Sequence, residues 1–161
     1  MAEFSRYEIY ILLNQTRPLW LSHIDLSNID LRGVDLRGAV MHEVNLSKCD
    51  MRGAGLREAN LGGANLEGAN LVGADLRRIR LRGANLRGAD LREADLSEAD
   101  LTDADLSFAN LLSASMGGTD LCKANLTGAN LTGCIVPEYQ LQRAGSLSGA
   151  IMPDGTPYEQ N

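Results

Sequence analysis

Residues 56–76 read Leu-Arg-Glu-Ala-Asn-Leu-Gly-Gly-Ala-Asn-Leu-Glu-Gly-Ala-Asn-Leu-Val-Gly-Ala-Asp-Leu. Leucine returns every fifth residue, preceded by Asp or Asn and, one step earlier, by Ala. Taking the leucine as a centre, the period extends in both directions from residue 21 to residue 131. Of these 23 centres, 20 are Leu and the others are Met41, Met51 and Met116, with Val136 as a twenty-fourth. The residue just before the centre is Asp or Asn at 18 of the 23, the exceptions being Trp20, Val40, Gly55, Arg80 and Ser115. Two before the centre Ala dominates, with Ile24, Ile29, Val34, Val44 and Ile79 as larger variants. An internal repeat this long decides the architecture.

A five-residue period excludes the two simple secondary structures. In a helix, centres would advance by roughly 140° after each full turn and spiral around every side. In a flat strand an odd period sends successive leucines to opposite faces. One bend per pentad resolves both conflicts. Four near-right-angle turns then close a square coil of twenty residues, with centres and small residues pointing inward. Such coils stack through backbone hydrogen bonds at about 4.8 Å. Eleven centres carry Gly two residues later, from Gly33 to Gly133, where a corner needs unusual dihedrals.

The pattern closely resembles the pentapeptide-repeat family, whose consensus is Ala-(Asp/Asn)-Leu-X-X. The resemblance covers residues 19–136. It implies an all-β fold, a right-handed quadrilateral β-helix of about six coils. The Pro153-Asp154-Gly155 segment near the end is similar to that of cyanobacterial members.

An array of coils has raw ends that need covering. Residues 1–18 are read as an N-terminal cap, helical rather than extended, with Ser5 and Glu8 at capping-box spacing and Pro18 as its stop. A partner-binding helix is the functional alternative for this segment. Residues 19–136 form the β-helix. Residues 137–161 form a C-terminal cap: one or two helical turns opened by Pro137 and closed by Gly145, then repeats resumed one residue out of phase around Leu147 and Met152.

Composition narrows the function classes. The 161 residues carry a net charge of −6, which argues against nucleic-acid binding. No apolar run is long enough to span a membrane, and the N-terminus has no secretory signal pattern. Three cysteines suggest a reducing, cytoplasmic setting. Charge is polarised: residues 21–92 hold 11 basic and 9 acidic groups, residues 93–161 hold 2 and 10.

Residues twenty apart share a side, so the surface reads as ladders. A basic belt comprises Arg32, Arg37, Arg52, Arg57, Arg77, Arg78, Arg80 and Arg82, to be neutralised by neighbours such as Asp30, Asp50 and Asp75 or else to bind an anionic partner. Asp95, Asp100, Asp103 and Asp105 belong to an acidic stretch of sixteen residues. With the outward Phe108 and Leu112, and with Trp20 and Val40, they form the candidate protein-binding surface. The N-terminal segment folding over Trp20 and Val40 is the alternative for that pair. His23 and His42 share a side but lack further ligands for a metal, and no cofactor motif occurs. Cys49 and Cys134 take inward positions as packing groups. No convergent catalytic site is visible. The expected function is a non-enzymatic module that binds another protein, as a monomer or weak homodimer. Some family members inhibit DNA gyrase by mimicking duplex DNA, and the acidic stretch makes that the alternative.

Overall fold

The computed structural model describes residues 11–14 and 18–159. The chain winds as a four-sided solenoid. Parallel bridges join residues twenty apart, from Trp20 with Val40 through to Ser115 with Ile135. Each bridge is a single residue, so each pentad contributes one paired position and one turn, and no extended strand forms among the described residues. The 20-residue register yields four sides, identified here by their first bridge residue: Trp20, Asp25, Asp30 and Asp35.

The inward pattern follows from burial of apolar area. Every centre from Leu21 to Leu131 is at most 2% exposed. The small residues two before them are as deeply buried from Ala39 onward. In the first coil the corresponding Ile24, Ile29 and Val34 are only partly buried, and Leu12 and Leu13 pack against the same core.

Backbone accounting is regular. The N–H of a centre and that of the residue two after it donate to the next coil, as in Leu66 N–H to Asn85 O (2.7 Å) and Gly68 N–H to Arg87 O (2.9 Å). The N–H before the centre donates to the previous coil, as in Asn65 to Val44 O (2.9 Å). The N–H two before the centre closes the turn, as in Ala69 to Leu66 O (3.0 Å). The fifth N–H, one after the centre, has no backbone partner.

The corners differ from the glycine-based expectation. All 23 positions two after a centre have positive φ, yet twelve of them, including Glu58, Arg78 and Phe108, are not glycine. A side chain there stores strain of order 1 kcal/mol or more. The turn-closing bonds and the stack above and below hold the conformation regardless of residue type.

At the ends, residues 11–13 are helical. The rest of the expected N-terminal helix lies outside the described residues. The C-terminal helix is shorter than its sequence signals suggest, Glu138–Leu141 after Pro137. It buries Gln140 and Leu141, and Gln140 Oε1 has no partner where the helix takes the place of the next ladder residue. The phase shift is a bulge. Gly145 and Ser146 both donate to Ala124 O, at 2.8 and 3.4 Å, and pairing continues 21 residues apart, Asn125 with Ser146 and Asn130 with Ile151. Gly145 is required there, since a Cβ would lie 2.8 Å from Lys123 O.

Candidate functional site

The residue before each centre points outward, and its chemistry explains the missing fifth hydrogen bond. On the Asp25 side, Asp25, Asn45, Asn65, Asn85, Asp105 and Asn125 each accept the N–H two residues on, at 2.9–3.1 Å. These are Asx turns. The amides also bond along the ladder: Asn45 Nδ2 to Asp25 (2.9 Å), Asn65 to Asn45 (3.3 Å), Asn85 to Asn65 (3.1 Å) and Asn125 to Asp105 (3.0 Å). The Ser27 N–H and hydroxyl hold the Asp25 carboxyl below its usual value.

On the Asp30 and Asp35 sides the same carboxylates also neutralise the basic belt. Arg32, Arg37, Arg52, Arg77 and Arg92 each grip the Asp two residues earlier in a forked pair, with Nη2 to Oδ2 at 2.6–2.8 Å. Those contacts push Asp50, Asp75 and Asp90 below the usual carboxylate value. Arg78 reaches Glu98 at 2.8 Å and Glu58 at 3.8 Å, Arg57 reaches Glu58 at 3.3 Å, and Arg82 reaches Asp103 at 3.4 Å. Seven of the eight belt residues are thus paired. Arg80 is exposed and has no carboxylate partner among the described residues.

The structure separates the expected acidic-apolar surface. Each pentad turns a corner, so sixteen residues encircle the coil. Asp95 lies on the Asp35 side, Asp100 and Asp103 on the Trp20 side, Asp105 on the Asp25 side and Leu112 on the Asp30 side. Asp95, Asp100 and Asp105 accept their own turn N–H groups, and Asp103 and Glu98 bind arginines one coil earlier. Phe108, 56% exposed, sits at a corner with the Arg87 guanidinium 4.8 Å from its ring centre. Its ring lies over Gly128, where a Cβ would come within 2.7 Å.

Trp20 and Val40 stay on one ladder, with Asn60 and Arg80 following. Trp20 is 73% exposed, and most of the N-terminal segment that the lid reading folds over it lies outside the described residues. Neither Ser22 N–H nor Arg82 N–H has a partner among the described residues, because Trp20 and Arg80 supply no acceptor. Above Val40, the Ser22 hydroxyl substitutes by accepting His42 N–H at 3.1 Å.

Sequence reasoning missed Ile135, exposed by 70%, and left Tyr139, exposed by 58%, as a cap residue. Ile135 precedes the twenty-fourth centre, Val136, and is a further departure from Asp or Asn. Counting that pentad would have found it.

The remaining chemistry is sparse. His23 Nδ1 lies 3.4 Å from Glu43, and no group of three His, Cys, Asp or Glu among the described residues could hold a metal. Cys49 and Cys134 donate to Leu26 O and Leu111 O, each at 2.8 Å, and burial pushes the Cys134 thiol up to about 11. A cavity of about 280 Å³ beside the C-terminal helix is lined by Leu141, Leu147, Met152, Tyr158 and Glu138, among others. Among the described residues no helix is long and apolar enough to cross a membrane.

A family model for pentapeptide repeats matches eight copies, over residues 21–57, 59–98 and 99–136. Among solved structures, the chain is similar to a pentapeptide repeat protein (Rfr23) from the cyanobacterium Cyanothece 51142. Identity is 28% over 62% of this chain and 82% of that chain, with a TM-score of 0.61. It is also similar to a pentapeptide repeat protein from the Arabidopsis thaliana thylakoid lumen. Identity there is 34% over 74% of this chain and 70% of that chain, with a TM-score of 0.56. No curated protein matches the chain.

Proposed function

This chain belongs to the pentapeptide repeat family, whose solved members imply a right-handed quadrilateral β-helix; on that premise we propose that it is a non-enzymatic interaction module. It displays side chains to another protein from a rigid rod. Residues 19–136 make about six coils, and residues 1–18 and 137–161 close the ends. A reducing cytoplasmic setting fits its three free thiols.

One observation carries this reading. Departures from the repeat concentrate on outward positions while the backbone register beneath them is unchanged. Trp20, Val40 and Arg80 keep the same bridges as the asparagines they replace. A fold that keeps its register under such varied outward residues suits presentation. The DNA-mimic alternative draws less support. Its acidic residues encircle the rod instead of forming a stripe, and Asp90, Asp95, Glu98 and Asp103 face arginines.

Affinity capture from the native cell tests the reading. Trp20→Ser and the double change Phe108→Ser/Leu112→Ser are each compared with the unaltered chain. Loss of a partner with one variant identifies the working surface. Retention of the same partners by both would remove both patches from the interface. Gyrase supercoiling is expected to continue uninhibited at micromolar protein.

A further inference from the structure

The Trp20 side differs from the other three in a way that points to what it binds. Five positions between residues 20 and 130 lack the Asx acceptor, and three of them, Trp20, Val40 and Arg80, stand on this one ladder. Each replacement forgoes a turn hydrogen bond that the Asp25 side makes at every coil. The residues that take these places are an exposed indole, an aliphatic group and the one belt guanidinium lacking a carboxylate among the described residues. Arg82, whose side chain is 69% exposed and lies 3.4 Å from Asp103, adds a second, partly neutralised cation beside Arg80. Between Val40 and Arg80 the ladder carries Asn60, whose side-chain oxygen accepts Gly62 N–H at 3.3 Å, and Gly62 itself adds no side chain beside it. Further along, Asp100 and Asp120 reverse the charge.

Resting on the interaction-module reading, we infer that the Trp20–Val40–Arg80 ladder is a docking strip for an extended peptide segment of a partner. The segment carries two apolar side chains followed by a carboxylate on the same face. The spacing follows from the ladder. Three coil steps of about 4.8 Å place Arg80 about 14 Å from Trp20. An extended chain rises about 3.3 Å per residue and returns to the same face every second residue. Position i meets Trp20, position i+2, about 6.6 Å along, lies between Val40 and Asn60 and packs on Val40, and the carboxylate at i+4, about 13 Å along, falls over Arg80 and Arg82. Asp100 repels any extension of the acidic run, so one or two carboxylates complete the match. The unpaired Arg80 is the element a merely apolar patch would not have.

Trp20 is the chain's only tryptophan, so its emission reports on the strip directly. The probes are synthetic peptides in a Ser/Gly frame with Leu-Ser-Leu-Ser-Glu as core, the reversed order Glu-Ser-Leu-Ser-Leu, and a Glu→Lys version of each. They are titrated into the full chain. A saturable blue shift is expected with one core order. The Glu→Lys peptide and the Arg80→Asn variant should each weaken binding about three- to tenfold, and 0.5 M salt should have a similar effect. Val40→Asn, which also restores the repeat consensus and so protects folding, should weaken it comparably while leaving Trp20 in place. Four outcomes overturn the proposal: no shift with either order at millimolar peptide, equal binding of Glu and Lys peptides, indifference to Arg80→Asn, or a Trp20 emission already typical of a buried indole in the free protein. The last would make the chain itself the occupant. None of these outcomes touches the module reading, which falls only if capture finds no surface-dependent partner.

Discussion

The Asp25 side and the Trp20 side share one backbone and differ in everything that faces outward. Both pair in the same 20-residue register, and both give their centres the same burial. The Asp25 side caps all six of its turns and links four pairs of side chains along the ladder. The Trp20 side caps three, at Gly62, Thr102 and Cys122, and its other positions carry Trp20, Val40 and Arg80, which supply no turn acceptor. The difference teaches that inward residues and stacking suffice for the coil. Outward Asp and Asn are a supplement of about 1 kcal/mol each, which can be given up where a surface is wanted.

The strongest test removes what the two sides have in common. Leu86 is fully buried at mid-rod. Leu86→Lys should abolish cooperative thermal unfolding near the native Tm, since an unpaired charge in a dry column costs more than a domain's whole stability. Survival of the native transition would show that the sides fold independently and that the shared core does not unite them.

Next in size is a blow to the supported side. Asn65→Leu deletes the Glu67 cap and the links to Asn45 and Asn85. We expect a loss of about 1–2 kcal/mol in denaturant unfolding with unchanged far-ultraviolet circular dichroism. A neutral result would reduce the amide ladder to decoration.

The converse change should repair the weaker side. Arg80→Asn supplies an acceptor for Arg82 N–H and an amide above Asn60. It is expected to stabilise by roughly 0.5–1.5 kcal/mol. If it destabilises, Arg80 contributes to the fold, and its free guanidinium loses its significance.

The smallest effect concerns charge on the Asp35 side, a third variation on the same backbone. The Arg77 guanidinium holds the Asp75 carboxyl below its ordinary 3.8. A depressed folded pKa stabilises fully above the unfolded value, and the contribution is lost as pH falls through the folded one. Stability should therefore begin to fall near pH 3.8 and continue downward. Asp75→Asn keeps an oxygen for the Arg77 N–H while removing the titration, so the acid limb should become shallower by well under 1 kcal/mol. An unchanged limb would mean the forked pair contributes nothing.

Legibility varied by position within the pentad. Leucine centres and small inward residues were readable because burial is a matter of residue type and period. The corners were half readable. Glycine marked eleven, but Glu93 or Phe108 gives no local sign of positive φ, since the stack imposes it. The Asp/Asn preference was visible as a pattern and opaque as a cause. Its role emerges only when every other N–H in the pentad is seen to be engaged. The candidate surface fared less well. Asp95, Asp100 and Asp105 are neighbours in sequence and point in three directions.

By itself, the sequence determined the period, the inward faces, the twenty-residue coil and the one-residue slip before Leu147, all consequences of which residues must leave water and how often they recur. The tertiary structure alone decided the partners of the outward groups. Arg78 finds Glu98 twenty residues away and Arg80 finds no carboxylate among the described residues. Side-chain reach across stacked coils depends on rotamers and neighbours above and below, and a linear pattern carries neither.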